Sequence, residues 1–148
     1  MNPERLERLL RVRRIEEGEA TRELGERLQQ VDAMEAQRDK LESYQREYLQ
    51  ASLPESANAL KWLAGMREQL TNALEQQDLR IQAAATRVEE ARQVWVERHR
   101  NSMSLEKLLE RHHAHARYHE QRRQQLEQDM WATRQVHANA AAETWQES

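Results

Sequence analysis

The chain has no cysteine and no phenylalanine, and its 148 residues include only 3 glycines and 2 prolines. Without cysteine there can be no disulfide and no thiol chemistry, a pattern that fits a cytoplasmic setting. So few breakers leave little room for loops. Aromatic residues make up 5% of the chain and apolar residues 38%, below the ~45–50% usual for globular chains. A thick, multilayer core is therefore not expected. No stretch approaches a membrane span, and Met1-Asn2-Pro3-Glu4 opens no apolar signal region. Charge of one sign is missing too, because 23 Lys+Arg are interleaved with 26 Asp+Glu for a net charge of −3. The Arg5, Arg8, Arg11, Arg13 and Arg14 cluster is the one local excess, and Glu4, Glu7, Glu16 and Glu17 neutralise most of it. No overall field calls for nucleic acid or an acidic membrane surface.

What is present is Glu, Arg, Gln, Ala and Leu, all strong helix formers. Pro3 suits a first helical turn, with Asn2 as its cap. Nothing then stops a helix until Pro54, which forces the preceding residues out of helical geometry. Ser56 or Asn58 can cap a second helix, and Gly65 could set off a short helix before the main one. The expectation is a single all-α domain: helix 1 over about 3–51, a turn over 52–57, and helix 2 over about 58–142.

Alternating steps of three and four from Ile81 give Ala84, Val88, Ala91, Trp95, Arg98, Ser102, Leu105 and Leu109, a heptad seam that needs a partner. Helix 1 offers Leu24, Leu28, Val31, Met34, Leu41, Tyr44 and Tyr48, with Leu6, Leu10 and Ile15 nearer its start. A short connection makes the two helices an antiparallel coiled-coil hairpin, with homodimerisation as the competing packing. Leu28, Val31, Val88 and Trp95 are expected to be buried. With the turn centred on Pro54, Leu6 falls opposite roughly Ser102, and pairing ends near Leu105 to Leu109. The same steps then reach His112, Ala116, His119, Arg123, Leu126 and Met130, so the seam turns polar and the C-terminal third reads as an overhang.

His112, His113, His115 and His119 are the one cluster that resembles a metal site. Only one Glu-x-x-His is present, Glu110 with His113, and no facing helix is expected there, so ligand count favours a solvated histidine-rich surface. The serines lack a Gly-flanked elbow and no phosphate loop exists. No catalytic residue, metal or cofactor is assigned. Trp95 reads as seam, Trp62 as closing the hairpin tip, and Trp131 and Trp145 as partner anchors on the overhang.

Near the turn, Gln37, Leu41, Tyr44 and Tyr48 are spaced by four, three and four. Met66, Leu70, Ala73 and Gln77 repeat that spacing on the returning helix. Spacing alone favours coiled-coil core, although two Tyr and two Gln make it a wet one. Tyr44-Gln45-x-Glu47-Tyr48 before the turn, Trp62 after it, Leu70-x-x-Ala73-Leu74-Glu75-Gln76-Gln77, and Val88 through Trp95 together resemble the FliJ family of the flagellar type III export apparatus. The resemblance covers about 24–134, and the ordered set, layout and length carry it rather than any single motif.

The resemblance implies a non-enzymatic stalk and general chaperone of flagellar export, cytoplasmic and peripherally associated with the inner membrane through its partners. Those partners would be the hexameric export ATPase FliI, the export gate FlhA, FliH and export chaperones. Nucleic acid and small-molecule ligands are not among them. Gln37, Leu41, Tyr44, Tyr48, Met66, Leu70, Ala73 and Gln77 would form the gate-contact surface, much of it exposed. The stalk of a virulence injectisome (YscO type) and a homodimeric scaffold share this architecture.

Overall fold

A computed structural model describes residues 2–147, with the backbone alone of Glu147. It contains two helices, α1 (Pro3–Gln50, 48 residues) and α2 (Ala57–Glu147, 91 residues), joined by 51–56. The caps are those the sequence offers. Asn2 Oδ1 accepts from the Glu4 amide at 3.1 Å with Pro3 in the first helical position, and Ser56 Oγ accepts from the Ala59 amide at 3.1 Å. Gly65 does not interrupt α2, so the expected short preliminary helix is absent. One glycine costs a helix only about 1 kcal/mol, which flanking helix formers on both sides outweigh. At its far end α2 runs past the expected 142 to Glu147.

Internal contacts divide the chain into two units, Arg11–Ser102 and Met1–Leu10 with Met103–Ser148. In the first unit the helices lie antiparallel, and α2 buries Leu63, Leu70, Leu74, Gln77, Ala84, Val88, Ala91 and Ser102. Every position of the series stepped from Ile81 to Leu109 is buried or half-buried. The same three-four steps run back from Ile81 through Gln77, Leu74, Leu70 and Arg67 to Leu63. On α1 the covered positions include Arg13, Glu17, Ala20, Leu24, Arg27, Val31, Met34, Arg38, Leu41, Gln45 and Tyr48, an unbroken heptad seam, with Glu16 and Glu42 half-buried beside it.

That seam corrects three expectations of burial. Val31 holds its seam position but is only half-buried, because two helices do not enclose it. Leu28 is 42% exposed, because Arg27 takes the seam position beside it. Trp95 keeps its seam position but is only half-buried. Its Nε1 donates to Thr21 Oγ1 at 2.9 Å, and its ring stacks on His99 with centroids 4.9 Å apart. The register is corrected as well. Arg38 pairs with Asp78, Gln45 Nε2 donates to Thr71 Oγ1 at 3.3 Å, and Glu17 meets His99 at 2.7 Å. α1 therefore faces residues about one heptad further along α2 than a turn centred on Pro54 requires. The six non-helical residues 51–56 rise faster per residue than a helix, so the first turns of α2 extend beyond the end of α1.

Polar groups fill much of this seam. Glu16 accepts from Arg98 at 3.0 Å and from Arg13 at 3.1 Å. The Glu17 carboxylate can only accept, so the His99 Nδ1 facing it carries the hydrogen. This bond holds the Glu17 carboxyl below its ordinary value of 4.5, helped by Ser102 and opposed by desolvation. The Ser102 hydroxyl, which contributes to that lowering, is enclosed without a hydrogen bond of good geometry.

In the second unit, the first turns of α1 lie against the middle of α2. Leu6 and Leu10 are buried, Leu105, Leu109 and His112 are half-buried, and Glu7 Oε1 stands 3.8 Å from His113 Nε2. From 113 to 146 every described side chain is exposed. Among the described residues no helix is long and apolar enough to cross a membrane.

Candidate partner-binding surface

The heptad seam divides the eight stripe residues near the turn into two sets. Leu41, Tyr48, Leu70 and Gln77 occupy seam positions, where Leu70 and Gln77 are buried and the other two half-buried. Gln37, Tyr44, Met66 and Ala73 stand beside the seam. Arg38–Asp78 and Gln45–Thr71 occupy one edge of the pair, which puts those four on the other edge, two from each helix. Gln37 and Tyr44 are exposed, Tyr44 by 51%, whereas Met66 and Ala73 are half-buried.

Behind this edge the wet core is satisfied. Gln77 Nε2 donates to the Met34 carbonyl at 2.9 Å and to Gln37 Oε1 at 3.3 Å. A buried amide needs such partners, and these also fix the Gln37 side chain at the edge. Tyr48 meets Trp62 edge-to-face, with centroids 5.9 Å apart. Trp62 is 59% exposed, with Leu49, Leu53 and Leu60 also exposed nearby in the chain, so the tip carries apolar area of its own.

Arg67 was not foreseen. Its guanidinium donates to the Tyr48 carbonyl from Nη2 at 2.9 Å and from Nε at 3.2 Å, and reaches the Leu49 carbonyl at 3.5 Å. A signal for it exists in the sequence: α1 has no basic residue in its last turn, so its terminal carbonyls need a donor from elsewhere.

In the second unit, His115 and His119 meet edge-to-face at 4.3 Å, and Tyr118 adjoins His119 at 5.9 Å. Among the described residues no three His, Asp or Glu side chains are gathered as metal ligands. Trp131 and Trp145 face solvent, as do Leu126, Met130 and Val136.

No match is found among curated proteins or among solved structures. A protein-family profile described as "Flagellar FliJ protein" matches residues 1–141, nearly the whole chain. An all-α antiparallel hairpin with heptad seams on both helices is the architecture expected from the resemblance near the turn. The chain belongs to the flagellar FliJ family, which gives it a role connected with flagellar protein export.

Proposed function

We propose that this protein is a non-enzymatic stalk of the flagellar type III export apparatus, linking the hexameric export ATPase FliI to the export gate FlhA. It would work in the cytoplasm, associated with the inner membrane only through its partners, with FliH and export chaperones as further contacts. One observation carries the reading. A helix pair rich in charge presents an edge of Gln37, Tyr44, Met66 and Ala73, drawn from both helices and backed by the bonded Gln77 amide. A rigid, amphipathic ring such as Tyr44 on a preorganised backbone is a favourable anchor for a protein partner. Leu41 and Tyr48 support the edge, while Leu70 and Gln77 hold the two helices together beneath it.

The exposed face of α2 over 113–146, with Leu126, Met130, Trp131 and Trp145, suits a concave partner that covers an amphipathic helix, as an ATPase ring would. The mechanism would be allosteric, with nucleotide-dependent states of the ATPase biasing the state of the gate through differential contacts along the stalk. Affinity of Tyr44→Ala for FlhA tests the proposal. Truncating a central anchor is expected to weaken binding about tenfold or more, with helix content and melting temperature unchanged. A folded Tyr44→Ala variant that binds FlhA like the parent would reject the edge as the gate contact.

A further inference from the structure

Both seams repeat every seven residues, so sliding α2 along α1 by one heptad again brings seam to seam. Glu17–His99 and Trp95–Thr21 belong to one alignment, but several other contacts that cross the pair are compatible with that repeat. Ala20, Leu24 and Val31 against Ala84, Val88 and Ala91 discriminate little by size. The Gln77 amide bonds a backbone carbonyl and a Gln on the next face, and one heptad back Arg27 and Gln30 offer the same two groups. The Arg38–Asp78 and Arg98–Glu16 pairs are partly exposed, so water substitutes for them when they separate.

The end of a helix does not repeat. The last four carbonyls of α1 lack intrahelical donors and carry the negative end of its dipole, and its final turn holds no cation to meet them. Arg67 sits on the α2 seam, half-buried, and its guanidinium holds the Tyr48 and Leu49 carbonyls from across the pair. We infer that Arg67 is a register-determining residue of the hairpin, a positioning residue that docks the C-terminus of α1 at one level of α2. One heptad towards the start of α1, its guanidinium meets the Leu41 carbonyl, which has an intrahelical donor and lies away from the negative end of the helix, so a cation gains less there. One heptad the other way, it meets residue 55, beyond the helix end. The partner edge takes Tyr44 from one helix and Met66 and Ala73 from the other, so that edge exists in one register only. This last consequence rests on the proposed gate contact, whereas the register itself does not.

The chain has no cysteine, so one spin label on each helix, at Ala33→Cys and Gln93→Cys, both exposed and offset from one another along the axis, reports the register by a pulsed dipolar distance in the whole protein. The parent is expected to give one narrow distance. Arg67→Ala is expected to add a second population, displaced by a slip of about 10 Å along the axis, the rise of one heptad. Arg38→Ala removes an interhelical pair away from the helix end and is expected to keep the single distance. If Arg67→Ala loses its helix content, Arg67→Gln, which keeps a donor without the charge, is read in the same way. A single unchanged distance in the folded Arg67 variant would overturn the assignment, even with a lowered melting temperature, because Arg67 would then be only a cap. Equal slippage in Arg38→Ala would overturn it too. FlhA is absent from these measurements, so failure of the gate contact leaves them unaffected.

Discussion

Residues 63–112 and 113–146 of α2 belong to one unbroken helix and continue one three-four series, yet their environments differ completely. Along the first stretch every series position is covered, from Leu63 to His112. Along the second, Ala116, His119, Arg123, Leu126 and Met130 are all exposed. Leu126 and Met130 are no more polar than Val88 or Leu105; what they lack is α1 alongside them. Burial in a two-helix seam is thus set by where the partner helix runs as much as by the residue. The two stretches must be stabilised differently. The paired one draws on apolar burial and cross-helix bonds, the other on helix propensity and local pairs such as Arg123–Glu120 at 2.7 Å.

The sharpest way to break this comparison is one substitution made in both stretches. Val88→Asp places an unpaired charge in a narrow seam and is expected to cost about 3 kcal/mol or more. Leu126→Asp, 56% exposed on the continuation of the same series, is expected to stay within about 0.5 kcal/mol. Thermal unfolding of the two variants beside the parent measures both, and equal destabilisation would erase the distinction. A smaller effect of opposite sign is expected at Gly65, where an added Cβ meets nothing within 4 Å. Gly65→Ala should stabilise the pair by about 0.5–1 kcal/mol. Ala140→Gly, in the exposed stretch, should lower helical ellipticity while the main melting transition stays in place.

The smallest effect is a pH dependence confined to the paired stretch. The folded Glu17 carboxyl lies below 4.5, chiefly through its bond to His99, so its contribution is fully present above that value. It is lost as pH falls through the lowered folded value. Glu17→Gln is therefore expected to lower the melting temperature slightly near neutrality and to flatten part of its acid limb, the variant and the parent converging as pH falls.

The α2 seam was legible because its positions are mostly Ala, Val, Leu and Ile, and both helix starts were legible because Asn2 and Ser56 are natural caps. The α1 seam was harder to read. Arg13, Glu17, Arg27, Arg38 and Gln45 occupy it, so the apolar pattern points instead to Ile15 and Leu28, which are exposed. Long side chains can cover a seam with their stems and bond across it with their heads, which a hydrophobicity pattern does not register. The register was misplaced for a related reason. Heptads repeat, and only particular bonds, Arg67 to Tyr48 and Glu17 to His99 among them, distinguish one alignment from the next. Spacing alone placed Gln37, Leu41, Tyr44 and Tyr48 in one stripe. Only the packed pair separates Leu41 and Tyr48 on the seam from Gln37 and Tyr44 on the edge.

Amide hydrogen exchange along the full-length monomer tests the central difference directly. Amides of α2 across 63–109 are expected to exchange slowly, near the limit set by global unfolding, whereas those across 117–146 exchange orders of magnitude faster through local opening. Protection of 117–130 equal to that of 63–109 would contradict the account, because it would require a packing partner for a stretch whose every side chain is exposed.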